Sequence, residues 1–104
     1  MVEELTIEFV QEYLKNTKLE LHSTHEKVSF PILYRIYGKL KNGERFGPIS
    51  VDDAIIVDGH HRYICHHILG ITIETKKWTR SFSISSTPWD RVIVDPLDYD
   101  NPLK

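Results

Sequence analysis

Apolar side chains recur at helical spacing near the start of the chain. Ile7, Val10 and Leu14 lie three or four positions apart, with a Phe and a Tyr beside them. This spacing gathers the apolar residues into one broad stripe of a helix. The pattern predicts a helix over residues 6–16 whose aromatic residues pack in the core.

The next apolar segment, residues 28–40, is rich in residues that favour strands. Asn42 and Gly43 follow it after one lysine. Asn-Gly between two strand-like runs is a strong hairpin signal, because a type I′ turn needs positive φ at both central residues. We therefore expect a β-hairpin whose return strand covers residues 45–49.

A strand, a tight turn and a helix are predicted to follow one another in the middle of the chain. Residues 54–57 form a short β-favouring run, interpreted as a buried central strand that Asp58 and Gly59 end. Over residues 60–69 the apolar positions share one helix face, and Gly70 supplies a left-handed stop.

Three further β segments are predicted after this helix. They are residues 71–73, the stretch in which Phe82 and Ile84 alternate with Ser, and residues 92–94. Residues 95–104 hold two Pro and three Asp and are expected to form an ordered-to-frayed tail. The order of elements predicts an α/β (α+β) fold, a small mixed sheet with a few helices.

Composition places the chain among ordinary globular domains. Its 104 residues are 40% hydrophobic and 27% charged, which predicts a single domain over 1–104. Thirteen Lys and Arg against fifteen Asp and Glu give a net charge of −2. That charge disfavours bulk attraction to nucleic acid or to an anionic membrane, and leaves a local basic patch open.

Two further features bear on location. The longest apolar runs are far shorter than the roughly 20 residues of a membrane span, so no membrane partner is expected. The one cysteine, Cys65, cannot form an internal disulfide, and no early stretch resembles a secretion signal. A cytoplasmic location is therefore expected.

One run of five residues carries the candidate chemistry: Asp58-Gly59-His60-His61-Arg62. It lies where the predicted strand meets the first turn of the predicted helix. Unpaired N–H groups and a partial positive charge attract anions to a helix N-terminus, and glycine lets the backbone approach closely. The guanidinium and the two imidazoles add side-chain donors. We predict that a phosphate group binds at the last four residues of the run.

Each of these residues has a plainer role as well. Gly59 suits a turn with or without a ligand, Arg62 could form a surface ion pair, and His61 could be a half-buried, hydrogen-bonded imidazole. Asp58 could cap the helix or hold Mg²⁺ beside a bound phosphate. If phosphoryl transfer occurs, Asp58 and His61 are the catalytic candidates, and Asp52-Asp53 is a second source of carboxylates.

The cluster of four histidines after Gly59 also raises a metal site. His61 and Cys65 are four residues apart on the predicted helix and could share an ion. A closed zinc site needs about four ligands, and the helix presents the other histidines in different directions. Cys65 is assigned to the core, His66 and His67 to the solvent face, and no metal site is predicted.

The same part of the chain carries a family resemblance. The runs concerned are Pro48-Ile49-Ser50-Val51, Ile55-Ile56-Val57-Asp58-Gly59-His60-His61-Arg62-Tyr63 and Ile68-Leu69-Gly70. Over residues 46–71 they resemble the core of the ParB-like and sulfiredoxin-like superfamily. The resemblance implies a small α/β domain in which the turn and the helix N-terminus bind nucleotide phosphates. It also implies that His61 and Arg62 match the family's phosphate-contacting residues.

Departures from the family pattern narrow the expected function. His60 stands where sulfiredoxins have their reactive cysteine, so sulfinic acid reduction is not expected. Partition proteins of the ParB type carry a Gly-Glu-Arg-Arg element here and continue into helical DNA-binding and dimerisation regions. Those regions do not fit into residues 71–104, so a partition function is not expected either.

Three hypotheses about function remain. The first is a ParB-like domain that binds a nucleoside triphosphate with Mg²⁺, or another phosphorylated small molecule, and hydrolyses or transfers a phosphoryl group. The second is a non-enzymatic module that binds nucleic acid or protein, with the basic and aromatic residues 76–80 as its surface. The third is a metal-dependent nuclease that relies on Asp58 and His61.

Overall fold

Three helices and five short strands follow one another in the computed structural model, which describes residues 5–79 and 86–99. The elements are α1 (Ile7–Asn16), β1 (Lys27–Ser29), α2 (Phe30–Lys41), β2 (Ile49–Asp52), β3 (Ile55–Asp58), α3 (His60–Leu69), β4 (Thr75–Lys77), a 3₁₀ turn (Trp89–Arg91) and β5 (Ile93–Asp95). This is the small mixed α/β architecture that the sequence predicts.

The strands form two small sheets. β2 is the central strand of a three-stranded sheet, antiparallel to β3 and parallel to β4, whereas β1 and β5 pair in parallel. A single backbone bridge from His22 also reaches β3, with the His22 N–H donating to the Ala54 carbonyl. Within this sheet the prediction of β3 as the central strand is wrong, because β2 takes that place.

Helix α1 confirms the first predicted helix. Thr6 is its N-cap, and the Thr6 hydroxyl accepts from the Phe9 N–H at 3.1 Å. Val10 and Leu14 are buried, as the apolar stripe predicts, whereas Phe9 is 47% exposed. The buried stripe of α1 is therefore narrower than the apolar spacing predicts, because Phe9 lies outside it.

The predicted hairpin is wrong, because its first strand is helix α2. Ser29 caps this helix through its hydroxyl oxygen, and Pro31 lies in the first turn, where its missing N–H leaves no intrahelical bond unmade. Gly43 does adopt a positive φ of 91°, but its N–H donates to the Leu40 carbonyl and ends the helix. The return strand predicted for residues 45–49 forms only from Ile49 onward, as β2.

The later elements are predicted in part. α3 has the predicted bounds and ends at Gly70, whose φ is 70°. Residues 71–73 are not a strand; the Ile71 N–H donates to the His66 carbonyl at the helix end, and β4 begins only at Thr75. The last predicted strand is confirmed as β5, one residue later. The predicted segment around Phe82 and Ile84 lies outside the described residues.

The start of the predicted tail is tied to α2. The Ser29 hydroxyl donates to the Leu97 carbonyl at 2.8 Å, and Arg35 pairs with the carboxylate of Asp98 at 2.8 Å. Residues 95–99 therefore lie against the N-terminal half of α2. Residues 100–104 of that tail are outside the described part of the chain.

The core is one cluster of apolar side chains to which all three helices contribute. α3 packs most extensively against α2, and α1 packs against β5 and the 3₁₀ turn. Leu33, Ile49 and Ile64 are fully buried where α2, β2 and α3 meet. Within residues 5–79 and 86–99, every helix is too short or too polar to cross a membrane.

Gly59 sets the angle at which β3 passes into α3. It has a φ of 103° and is the N-cap of the helix. A Cβ added there would lie 2.8 Å from the Cβ of Ile49 in β2 and 3.0 Å from Nη2 of Arg62. Both the left-handed conformation and the close approach to β2 require glycine at this position.

We expect Gly59→Ala to lower the free energy of unfolding by roughly 2–4 kcal/mol, because the Cβ adds backbone strain and a clash with Ile49. Gly38→Ala is the matched control: Gly38 lies inside α2 with open space around its Cα. It should raise stability by about 0.5–1 kcal/mol. Urea unfolding of both variants checks this, and a Gly59→Ala variant as stable as the wild type would contradict it.

Candidate functional site

A cleft of about 320 Å³ opens at the N-terminus of α3. Its walls come from four parts of the chain: the segment before β1, helix α2, the β3–α3 turn and the tail. They comprise His25, Ile32, Ile36, Asp58, Gly59, His60, His61, Arg62 and Tyr99. The structure thus brings together all five residues of the predicted run, and four more that the sequence did not indicate.

His60 lies at the buried wall of the cleft and is only 1% exposed. Its Nε2 accepts a hydrogen bond from the Thr24 backbone N–H at 2.9 Å. A backbone amide can only donate, so Nε2 carries the lone pair and the neutral ring carries its proton on Nδ1. That Nδ1 is buried and has no hydrogen-bond partner among the described residues.

The environment of His60 keeps its ring neutral. Burial, followed by the neighbouring imidazoles of His25 and His61, lowers the pKa of His60 to about 3. The wall of the cleft therefore includes a residue whose buried, neutral N–H has no acceptor in residues 5–79 and 86–99, and such groups are rare in folded proteins.

His61 is held in the same way from another direction. Its Nε2 accepts from the Ser29 backbone N–H at 2.9 Å, so the neutral ring again has its proton on Nδ1. The plain role considered for His61, a half-buried hydrogen-bonded imidazole, is thus present. Because its Nε2 lone pair is engaged, the catalytic role predicted for His61 is restricted to that of a donor.

Arg62 and Asp58 form the exposed rim. Nη1 of Arg62 lies 3.2 Å from the Gly47 carbonyl oxygen and 3.4 Å from that of Pro48, and Nη2 lies 3.6 Å from the Asp58 carboxylate. The Asp58 side chain is 79% exposed. The guanidinium is therefore anchored beside the cleft, with an accessible carboxylate next to it.

The capping role considered for Asp58 is wrong. Gly59 is the N-cap of α3 and has no side chain with which to cap it, and among the described residues the Asp58 carboxylate makes no hydrogen bond to the first turn. The N–H groups at the start of a helix have no partner within the helix itself. The second possibility, Asp58 as a ligand of Mg²⁺ beside a phosphate, stays a prediction.

His25 is one of the four cleft residues that sequence reasoning missed. Its ring stacks on that of His60, with centroids 3.8 Å apart and an angle of 16° between the planes. Burial lowers the pKa of His25, and the Asp58 carboxylate opposes this. His25 lies far from the run in sequence, and no spacing rule connects the two, so only the tertiary structure reveals the pair.

The remaining histidines and the cysteine lie outside this cleft. The Cys65 thiol is buried, donates to the Leu33 carbonyl at 3.2 Å, and has its pKa raised to about 12 by burial. The solvent-facing prediction for His66 and His67 is wrong: His66 is 4% exposed, and the His67 ring hydrogen-bonds the Tyr13 hydroxyl. Within the described ranges no three His, Cys, Asp or Glu residues are grouped to hold a metal ion.

Comparison with known proteins adds no identity. The chain matches no protein-family model, no curated protein and no solved structure. The resemblance to the ParB-like and sulfiredoxin-like superfamily stays a prediction.

The Nδ1–H form of His60 should persist in the folded protein from pH 8 to pH 5, because protonation would place a second N–H against the Thr24 amide. The folded pKa of about 3 lies below the ordinary value of about 6.5, so the unfolded chain binds the proton more tightly. Through His60, the free energy of unfolding should therefore fall by about 2 kcal/mol as the pH falls from 7 to 5. Long-range ¹⁵N NMR of the ring checks the tautomer, and a ring that titrates near pH 6.5 would contradict it.

Proposed function

We propose that the protein binds a phosphorylated small molecule, specifically a nucleoside triphosphate, in the cleft at the N-terminus of α3. The observation that carries the proposal is the Nδ1–H of His60: this residue belongs to the cleft wall, and its Nδ1 is buried and lacks an acceptor among the described residues. Leaving such a donor unpaired costs about 1–3 kcal/mol. A phosphate oxygen would satisfy it.

The electrostatics of the cleft favour an anion over a neutral acceptor. The first turn of α3 has no side-chain cap and carries the positive end of the helix dipole. The Arg62 guanidinium lies at the same end of the helix and suits phosphate through its planar set of donors. These features surround the His60 donor from the backbone and from the rim.

The opposite wall can hold the remainder of a nucleotide. Ile32 and Ile36 from α2 and Tyr99 from the tail line this side of the cleft. An apolar and aromatic wall facing a few polar groups is the usual composition of a small-molecule site. The ring of Tyr99 and the two isoleucines offer a surface for the sugar or the base.

The residues present also fit Mg²⁺ as a companion of the phosphates. Proteins hold this ion with one or two carboxylates together with substrate phosphate oxygens, and Asp58 presents an exposed carboxylate at the rim. Bound Mg²⁺ would neutralise charge on the phosphates. Asp58 would hold the ion, and His61 would lie beside the phosphate group. Hydrolysis or transfer of a phosphoryl group by a ParB-like domain is the activity that we propose for this arrangement.

A nucleic-acid-binding surface is the second candidate, and one observation favours it. Trp78, directly after the exposed strand β4, is 58% exposed, and Nζ of Lys76 lies 5.8 Å from the centroid of its ring. An exposed aromatic ring beside a cation can stack a nucleobase. Loss of single-stranded RNA or DNA binding in Trp78→Ala would support this second function.

We expect Arg62→Ala to weaken nucleotide binding about 10- to 100-fold, the range for a lost charge-assisted hydrogen bond. Arg45→Ala is the matched control, since Arg45 also donates to backbone carbonyls but lies outside the cleft. Amide NMR titrations with ATP, CTP and GTP, with and without Mg²⁺, should show saturable shifts at residues 59–63. Phosphorus spectra of the same samples report turnover.

Unfolding curves of both arginine variants serve as the folding control, because Arg62 also contacts the carbonyls of Gly47 and Pro48. An Arg62→Ala variant that is folded and binds every nucleotide as the wild type does would refute the site. Binding without phosphate release in the wild type would restrict the function to recognition.

A further inference from the structure

Three imidazoles line the cleft, and two of them accept a backbone hydrogen bond at Nε2. His60 and His61 each accept a backbone N–H at Nε2, at 2.9 Å in both cases. Adding a proton to either Nε2 would set two donors against each other and break a contact that holds α3 to the chain around β1. In each neutral ring the proton is therefore on Nδ1.

The third imidazole, His25, is positioned without such a restriction. Its backbone is held by a local turn. The Ser23 hydroxyl accepts from the His25 N–H at 3.0 Å and donates to the His25 carbonyl at 2.9 Å. Its ring is held by stacking on His60. Neither ring nitrogen of His25 has a hydrogen-bond partner within residues 5–79 and 86–99, so both can respond to a ligand.

The charged and titratable groups around His25 come from three sides. α3 contributes His60, His61 and Arg62, the end of β3 contributes Asp58, and the tail contributes Tyr99, while α2 presents only apolar side chains. Burial lowers the pKa of His25 more than the Asp58 carboxylate raises it. The ring is thus biased towards its neutral form until further negative charge enters the cleft.

We propose that His25 is the proton-exchanging residue of this site, and that its ring takes up one proton from solvent when a phosphate-bearing ligand binds. The imidazolium that forms lies beside the ligand's negative charge, and the site gains one positive charge for each ligand bound. This inference rests on the proposed function. It assigns to His25 the exchange of a proton, a role that the engaged Nε2 atoms of His60 and His61 disfavour.

The test compares the wild type with His25→Phe, which keeps an aromatic ring on His60 but cannot bind a proton. ATP, CTP and GTP are titrated from pH 5.5 to 8.5. As the pH rises from the His25 pKa of the free protein to that of the complex, the wild-type Kd should increase by up to about tenfold per pH unit, measured as its ratio to the Kd of the variant. The ligand's own ionisation is common to both proteins and cancels in this ratio.

Calorimetry in two buffers of different ionisation enthalpy measures the proton directly. The wild type should take up close to one proton per nucleotide near the middle of that pH range, and His25→Phe close to none. His22→Phe, whose ring lies outside the cleft, should behave as the wild type. The His25 ring signal should titrate at a higher pH in the complex than in the free protein.

The outcomes separate the inference from the proposed function. Equal proton uptake by the wild type and His25→Phe, with nucleotide shifts still present at residues 59–63, would overturn the role of His25 and leave the site standing. No nucleotide shifts in the wild type would overturn both. If His25→Phe does not fold, proton uptake is compared with His25→Gln, and the His25 ring of the wild type is titrated with and without nucleotide. A His25 pKa that does not rise on binding refutes the inference.

Discussion

Two backbone N–H groups that donate to imidazole nitrogens determine the chemistry of the candidate site. Thr24, which precedes β1, and Ser29, the last residue of β1, donate to His60 and His61 in the first turn of α3. These hydrogen bonds use the acceptor nitrogen of each ring inside the fold and place the proton of the neutral ring on Nδ1. A helix N-terminus without a side-chain cap adds further donors. A cleft supplied in this way with donors selects a ligand rich in acceptors.

Ser29 connects this chemistry to the rest of the molecule. Its backbone N–H donates to His61, its hydroxyl oxygen caps α2 by accepting from the Ile32 N–H, and its O–H donates to the Leu97 carbonyl in the tail. Ser29 is fully buried, so each of these contacts is made away from bulk water, where an unpaired polar group is costly. The position of α2, the path of the tail and the orientation of His61 are therefore coupled through one residue.

The parts of the fold that the sequence predicted well are those with local signals. The helical spacing of α1 and α3 and the turn at Gly59 depend on near neighbours along the chain, and all three are confirmed. α2 was predicted as a strand because its composition favours strands. In the fold, the cap at Ser29 and Pro31 in the first turn outweigh that composition and favour a helix. The stacking of His25 on His60 and the burial of His66 arise only from tertiary packing, so the local pattern carried no sign of them.

The most direct test of a phosphate site at this cleft is a crystal structure of the protein with a bound nucleoside triphosphate and Mg²⁺. We expect a phosphate oxygen within about 2.7–3.2 Å of Nδ1 of His60, with the phosphate contacting the first turn of α3. A nucleotide bound elsewhere, or phosphates that leave the His60 donor without an acceptor, would contradict it.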